Sequence, residues 1–398
     1  MSISQIPMLS NNLKTKKSFL IVTSIILTLT FSAWVALLNN FAIEKANFTG
    51  AEIGMLQSLR EIPGFLAFTA IFVLLVLREQ TFALLSLCLM SIGVAITGFF
   101  PFEIGLYATT VLMSIGFHYF ETIKNSLTLQ WLDKGETAEF LGKLIAINAT
   151  ASLSIYALIW LFFSIFEIGY SYSYLIFGGV GLVLCIWCWL YFPKFDNPVE
   201  QHKKLILRKR YWLYYLLTFL AGARRQIFMV FASFMMVEKF DYGAEDIAIL
   251  FTINHLVSLY AAPKIGRWIG RVGERKTLTI EYIGLILIFL GYALVENADI
   301  AAGLYIIDHL FFAMAIALKT FFQKIADPKD IAGSSGVSFT INHIAAVVIP
   351  AAFGILWLQN PAAVFYCGAG IALVSLLMSQ RMDIELSRLA AREQKLAT

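Results

Sequence analysis

Charged residues are scarce in this sequence, and their scarcity argues against a water-soluble protein. Only 14% of the 398 residues are Asp, Glu, Lys or Arg, whereas soluble domains contain roughly 25%. Hydrophobic residues make up 59% of the chain and aromatic residues 15%, with 34 Phe among them. A single water-soluble core cannot bury this much apolar surface. Lipid is therefore the expected solvent for most of the protein.

Signatures of enzymatic chemistry are also missing from the sequence. It contains no GxxxxGK[ST] loop for ATP phosphates, no nucleophile elbow and no metalloprotease helix. All four cysteines lie in apolar runs, and the CxxC formed by Cys185 and Cys188 has no βαβ pattern around it. We interpret these cysteines as packing residues. The sequence predicts neither an enzyme nor an ATP-driven pump, and it indicates no cofactor.

Long apolar runs occupy most of the chain instead. A helix that crosses a bilayer needs about 20 mostly apolar residues. Twelve segments meet this length, at 18–43, 51–77, 79–100, 103–132, 139–167, 172–193, 211–238, 245–268, 277–296, 299–325, 334–358 and 361–380. The first run exceeds a signal-peptide core and lacks a small-residue cleavage site, so it should persist as the first helix. We predict an all-α membrane protein with twelve transmembrane helices.

One long polar connection divides these spans into six plus six. It reads KFDNPVEQHKKLILRKR and predicts an N-terminal six-helix bundle at 1–193, a cytoplasmic linker at 194–210 and a C-terminal six-helix bundle with a cytoplasmic tail at 211–398. Lys and Arg concentrate before span 1, in this linker and after span 8. This is a topology signal and not a nucleic-acid footprint, and it places both termini in the cytoplasm. The compact design favours a monomer in a bacterial cytoplasmic (inner) membrane.

The two halves also match each other at one constant offset of 194 residues. The matched positions are Glu44-Lys45 with Glu238-Lys239, Arg60-Glu61 with Asn254-His255, Asp133 with Asp327, Gly142 with Gly336, and Asn148 with Asn342. One register held over separate landmarks indicates an internal repeat.

The repeat, the span count and one loop motif together resemble the major facilitator superfamily. The loop after span 8 reads GRWIGRVGERK and is similar to the superfamily's G-x-x-x-D-R-x-G-R-K signature, with Gly270 at the acidic position and Glu274 inserted before Arg275. The loop after span 2, VLLVLREQT, has lost the pattern, and span 5 lacks the Gly-Pro-rich signature of drug antiporters. The resemblance implies two bundles in pseudo-two-fold repeat, with spans 1, 4, 7 and 10 around a central cavity.

Ionisable residues inside the predicted spans are the main candidates for function, because charge in lipid is costly and usually marks a substrate or ion pathway. Arg224 and Arg225 lie near the middle of span 7. Two interpretations remain open for them: a structural ion pair between helices, or contact with substrate or with a coupling relay. In span 4, Glu121 can pair locally with Lys124 or can serve as the proton-carrying counter-charge of Arg224 or Arg225.

The remaining candidates fall into three groups. Expected substrate contacts are Arg224, Arg225, Lys124, Lys319 and Asn342. Expected proton carriers are Glu121, Asp308, His118, His309 and His343. Expected gating or structural residues are Arg60, Glu61, Asn254, His255, Arg271, Arg275 and Glu281. Glu281 should pair with Arg271 or Arg275, and Asp308 and Lys319 should share one helix face about 16 Å apart. The predicted depths of the histidines do not converge, so we expect no metal site.

These residues predict a secondary transporter that works by alternating access on a small organic solute. The excess of cations over carboxylates in spans 4, 7 and 10 favours an anionic or zwitterionic solute, and the carboxylates and histidines favour proton coupling. The expected partners are the solute, protons and the lipid bilayer. One alternative is an efflux pump for hydrophobic or cationic compounds, with the arginines held in structural pairs. Another is a non-transporting membrane sensor or assembly partner.

Overall fold

All regular secondary structure in the part of the chain that the structure describes is helical. The computed structural model describes residues 14–48, 50–196, 199, 201, 204–240, 242 and 244–388. Nine helical stretches among them are long and apolar enough to cross a membrane. Twelve helical spans follow one another along these residues, one for each predicted span. The predicted all-α class with twelve helices is confirmed.

The spans have the following bounds. In the first half they are Lys16–Ala46, Gly50–Phe65 continued through Leu66–Thr69 to Ala70–Val73, Glu79–Thr97, Glu103–Trp131, Thr137–Ser164 and Tyr170–Tyr191. In the second half they are Trp212–Gln226 continued through Ile227–Ala232 to Ser233–Phe240, Ala244–Val272, Glu274–Leu294, Ala298–Phe311 continued through Phe312–Ala315 to Ile316–Ile325, Ile331–Gln359 and Pro361–Ser379. Spans 2 and 10 each contain a 3-10 turn, and span 7 contains a π-helical turn.

Span 5 ends earlier than the apolar pattern predicts. The pattern continues to residue 167, but the helix stops at Ser164. Glu167 adopts a left-handed backbone conformation with φ 51°. The N–H of Ile168 then bonds the carbonyl of Phe162 at 2.8 Å, which closes the helix with a C-terminal capping turn. Hydrophobicity alone could not reveal this stop, because Glu is an unusual residue at a left-handed cap.

The sequence repeat is visible in the backbone hydrogen bonds. After span 1, the N–H of Phe48 bonds the carbonyl of Ala42, and after span 7 the N–H of Tyr242 bonds that of Met236. These two capping bonds lie 194 residues apart. A second pair of backbone bonds has the same spacing: the N–H of Glu136 bonds the carbonyl of Asp133, and the N–H of Asp330 bonds the carbonyl of Asp327. Equivalent positions of the two halves therefore adopt the same local structure.

The described residues group into two compact units. Unit 1 comprises ranges 1–63, 73–132 and 154–200, and unit 2 comprises 64–72, 133–153 and 201–398. Parts of spans 2 and 5 thus cluster with unit 2, and the predicted bundle boundaries at 193 and 211 stay a prediction. Inside unit 2, residues 64–72 pack on span 11, where Thr340 accepts a hydrogen bond from the N–H of Phe68 and donates one to the carbonyl of Phe65.

Close helix approach inside each unit depends on residues without a side chain. In unit 1, a Cβ atom on Gly178 would lie 2.6 Å from the Cα of Ala95, so spans 3 and 6 touch backbone to backbone. In unit 2, a Cβ on Gly142 would lie 3.1 Å from the Cα of Gly266, where spans 5 and 8 cross. Small residues at such crossings are the usual way in which membrane helices pack tightly.

Candidate functional site

A group of ionisable residues occupies spans 2 and 4 of unit 1, and we call it the span 2–4 cluster: the half-buried Arg60, Glu61, Glu121 and Lys124, with the buried His118. The guanidinium of Arg60 lies 2.6 Å from the carboxylate of Glu61, and their side chains are 26% and 25% exposed. Nε2 of His118 lies 4.0 Å from the same carboxylate. Lys124 and Glu121 form an ion pair one helical turn apart, with 13% and 24% exposure. The cluster therefore offers both signs of charge.

Ser114 connects the two helices of this cluster. Its hydroxyl donates to the backbone carbonyl of Arg60 and lies 2.9 Å from Nδ1 of His118. Aromatic rings border the cluster on the side of span 1, where Phe31 stacks on Phe117 at 4.3 Å and Phe117 contacts the ring of His118 at 4.9 Å. Of the two interpretations of Glu121, the local pair with Lys124 is formed in the structure.

Unit 2 contains a second group, the buried charge cluster: Arg224, Glu281 and Asp308. The guanidinium of Arg224 on span 7 lies 3.6 Å from the carboxylate of Glu281 on span 9, and the two side chains are 5% and 6% exposed. The guanidinium also donates to the hydroxyl of Ser375 on span 12 and lies 4.5 Å from the ring centre of Tyr282. Asp308 on span 10 is buried beside these groups and next to Tyr292. Four helices thus enclose one cation and two carboxyl groups.

This arrangement corrects the predicted pairing of Glu281. Glu281 does not pair with Arg271 or Arg275: its ion pair is with Arg224, and Arg275 pairs with Asp383 at 2.8 Å. Seven residues separate Glu281 from the start of span 9, which places it about 10 Å deeper than the loop at 1.5 Å per residue. Of the two interpretations of Arg224, the structural ion pair is formed and the side chain is buried, while contact with a substrate stays a prediction.

Span 10 also departs from its prediction. Asp308 and Lys319 were expected to share one face of a straight helix. The 3-10 turn Phe312–Ala315 lies between them and changes the helical register. Asp308 is buried, whereas Lys319 is exposed. The two residues therefore do not bracket one surface.

Three of the four histidines in the spans share one hydrogen-bond pattern. Each places Nδ1 within 2.8 to 3.0 Å of the backbone carbonyl four residues earlier: Ser114 for His118, Phe251 for His255 and Phe339 for His343. When Nδ1 carries the proton in such a bond, Nε2 is left as the acceptor. The fourth, His309, packs against the rings of Phe228 and Phe312. These groups can accept protons, but each is first tied to its own helix or to aromatic rings.

The remaining predicted residues differ in burial and in their contacts. The amide of Asn342 donates to the carbonyl of Thr218 at 3.3 Å, which ties span 11 to span 7. Asn254 is buried in span 8, Arg225 is half-buried, and Arg271 is exposed. Among the residues that the structure describes, Oδ1 of Asn254 has no hydrogen-bond partner.

Two buried acids were not predicted from the sequence. Glu79, at the start of span 3, accepts hydrogen bonds from Ser126 at 2.5 Å and from Gln130 at 2.8 and 2.9 Å. Asp330, before span 11, accepts from Arg208, Arg210 and Tyr211. The hydrogen bond to Asp330 raises the pKa of Arg208 above its ordinary value. The basic linker residues Arg208 and Arg210, which bond Asp330, were the one signal in the sequence that could have indicated an acidic partner nearby.

This chain is similar to known proteins in sequence pattern and in fold. The sequence model of the Major Facilitator Superfamily matches residues 19–350. A search among curated proteins found no match. The structure of the human organic anion transporter MFSD10 (TETRAN) aligns with a TM-score of 0.73 at 11% identity, covering 91% of this chain and 98% of that one.

Two further structures align over similar lengths. A variant of the E. coli fucose:proton symporter FucP gives a TM-score of 0.72 at 12% identity, with 92% of this chain and 98% of that one covered. A bacterial homologue of the iron transporter ferroportin in an outward-facing state gives 0.73 at 11% identity, with 93% and 99% covered. At these identities the likeness concerns the fold and not the cargo.

Proposed function

Because this chain belongs to the major facilitator superfamily, we propose that it is a secondary transporter that moves a small zwitterionic organic solute by alternating access and uses the proton gradient. We place it in a bacterial cytoplasmic membrane as a monomer with both termini in the cytoplasm. The zwitterionic preference rests on the span 2–4 cluster, and the proton coupling rests on the buried charge cluster. Each is argued separately below.

The observation that carries the solute class is that the charges of the span 2–4 cluster come in two pairs of opposite sign. Arg60 with Glu61 and Lys124 with Glu121 are each partly exposed. A solute with both an ammonium and a carboxylate can replace one pair by two new ion pairs, so that no buried charge is left without a partner. A purely anionic solute lacks this compensation, and Arg224, on which an anionic preference depended, is already paired with Glu281.

Charge balance in the buried charge cluster supports proton coupling. One guanidinium compensates one carboxylate, so a second ionised carboxylate would leave an uncompensated negative charge inside the bundle, at a cost of several kcal/mol. Binding a proton removes this cost. Among the described residues, Oε2 of Glu281 and Oδ2 of Asp308 have no hydrogen-bond partner, and each can receive a proton. We infer that Asp308, which faces Arg224 without forming its ion pair, is the group that gains and loses the proton.

A second candidate function has one observation in its favour. Efflux of a lipophilic cation requires the arginines to be held in structural pairs, and Arg224 is held in this way. The partly exposed carboxylates of Glu61 and Glu121 would then attract the cation once their own partners move aside. The two candidates therefore differ in whether Lys124 contributes to solute binding.

Proteoliposomes that contain a pH-sensitive dye test the proposal. A panel of amino acids and betaines, dicarboxylates and lipophilic quaternary cations is added under an imposed proton gradient. We expect zwitterions to move together with protons. Lys124→Gln should weaken solute binding, and Lys143→Gln is the matched control, because Lys143 pairs with Glu139 at 2.7 Å but is 58% exposed. Asp308→Asn should abolish proton-driven accumulation while solute exchange across the membrane persists.

Each part of the proposal can fail separately. Proton-driven accumulation by Asp308→Asn would exclude Asp308 as the proton carrier. Transport of quaternary cations, with an unchanged response in Lys124→Gln, would establish the efflux alternative instead. The absence of any solute or proton movement across the whole panel would favour a non-transporting sensor or assembly partner.

A further inference from the structure

An open groove lies at one end of unit 1 and shares no lining residue with the span 2–4 cluster. It has a volume of about 840 Å³ and is formed where spans 1 and 3 end and where span 5 turns into span 6. This volume is within the roughly 300–1,000 Å³ of small-molecule sites. In the topology proposed above, these helix ends face the side opposite the cytoplasm. The groove therefore lies at the outer membrane–water interface.

Five of the thirteen residues that line the groove are aromatic. Phe41, Phe163, Phe166, Tyr170 and Tyr172 all border the groove. Phe166 and Tyr172 are 63% and 66% exposed, so apolar surface continues from the groove out to its rim. Aromatic side chains at this depth are typical of the headgroup region, where one end of the ring is apolar and the other is wet.

One cation and one anion complete the groove. Lys45 comes from the last turn of span 1, and Glu167 comes from the turn after span 5. The left-handed backbone of Glu167, with φ 51°, is a conformation that a non-glycine residue adopts at some cost in energy. This backbone conformation places a carboxylate among the lining residues of an otherwise apolar groove.

The internal repeat provides a direct comparison for Lys45. Its counterpart in unit 2 is Lys239, whose ammonium bonds the carbonyl of Val295 at 2.7 Å and the carboxylate of Glu296 at 2.9 Å. The charge at that position is thus compensated within the protein. In unit 1 the equivalent lysine lines an open groove instead. The asymmetry indicates that Lys45 is available to a ligand in a way that Lys239 is not.

We propose that this groove binds a phospholipid with a zwitterionic aminoethyl phosphate headgroup, its phosphate at Lys45 and its ammonium at Glu167. An ammonium beside these rings also gains a cation–π contact. The glycerol and the first methylenes of the acyl chains lie along Phe166 and Tyr172. The exposed apolar surface of these two rings would be covered by a lipid but not by a small water-soluble ligand. A solute that travels through water would have to leave this apolar rim uncovered.

Native mass spectrometry of the full-length protein tests this proposal with three probes of identical acyl chains: palmitoyl-oleoyl phosphatidylethanolamine, phosphatidylcholine and phosphatidylglycerol. We expect phosphatidylethanolamine to bind most tightly, because the choline headgroup has no N–H donor and the glycerol headgroup has no cation. Lys45→Gln and Glu167→Gln should each weaken this binding by about fivefold. Lys239→Gln is the matched control and should leave it unchanged.

Two outcomes would overturn the proposal. Equal binding of the three lipids to the wild-type protein would show that the groove does not recognise the headgroup. An equal loss of phosphatidylethanolamine binding in Lys45→Gln and Lys239→Gln would show a general charge effect rather than a site. Thermal unfolding midpoints of all variants, measured in the same detergent, verify that a loss of binding does not result from misfolding. The assay measures no transport, so its result is independent of the proposed function.

Discussion

Removal of the Arg224 guanidinium tests whether the buried charge cluster is energetically coupled, as its geometry indicates. In Arg224→Met, Glu281 loses a partner 3.6 Å away while remaining buried, and Asp308 loses the nearby cation. Breaking a buried ion pair from one side costs about 3–5 kcal/mol, because the remaining charge has no compensation. Loss of the contact with the Tyr282 ring, 4.5 Å away, adds up to about 2 kcal/mol for a desolvated site.

The second variant distinguishes a charge effect from a packing effect. In the double variant Arg224→Met with Glu281→Leu, both charges of the pair are replaced by apolar groups of similar size. Such replacements are often neutral or stabilising, so we expect the double variant to be more stable than Arg224→Met alone. Lys143→Met is the control for an exposed pair, whose side chains are 58% and 41% exposed, and should cost no more than about 1 kcal/mol.

Equilibrium unfolding in mixed detergent micelles measures these differences. We expect the wild-type protein and Lys143→Met to be the most stable and close together, the double variant to be less stable, and Arg224→Met to be the least stable. If Arg224→Met unfolded at the wild-type midpoint, the cluster would not be coupled. If the double variant were the least stable of the four, packing by the two long side chains, and not charge compensation, would be the dominant contribution.

Two further predictions concern contacts within unit 2. Gly142→Leu should separate spans 5 and 8, because a Cβ there already lies 3.1 Å from the Cα of Gly266. We expect about 1–3 kcal/mol of destabilisation in the same unfolding assay. Gly179→Leu is the control and should leave stability unchanged, because its Cβ meets no described atom within 4 Å. Asp330→Asn should loosen the linker, because it weakens charge-assisted hydrogen bonds worth about 1.5–3 kcal/mol each. We expect trypsin to cleave the linker faster in this variant. Asp327 is 41% exposed, so Asp327→Asn should not change the cleavage rate. Equal cleavage of the two Asn variants would contradict this role of Asp330.

One contact of the candidate site was among the two interpretations that the sequence left open for Glu121. The pairing of Glu121 with Lys124 depends only on the helical repeat, which places residues three apart on one face. Equivalent capping bonds in the two halves were likewise predictable from the constant offset between them. Both contacts join residues within a few positions of each other, so no knowledge of packing is needed.

Contacts between distant helices were not predictable in the same way. Arg224 and Glu281 belong to spans 7 and 9, and their contact depends on how those two helices pack. The sequence offered Arg271 and Arg275 as nearer partners for Glu281. The same limit applies to Glu79, whose partners Ser126 and Gln130 are neutral residues that carry no charge pattern to recognise.

The sequence by itself determined the number of helices, their repeat and their membrane environment. The cost of placing polar groups in lipid acts on each segment of about 20 residues independently, so these properties can be inferred one segment at a time. Tertiary structure decided which charges are compensated by protein and which line an open groove. Lys45 and Lys239 occupy equivalent positions in the repeat, yet one lines an open groove and the other is bonded to Glu296. That difference arises from the surrounding helices and loops, because burial and charge compensation depend on neighbours that are distant in sequence.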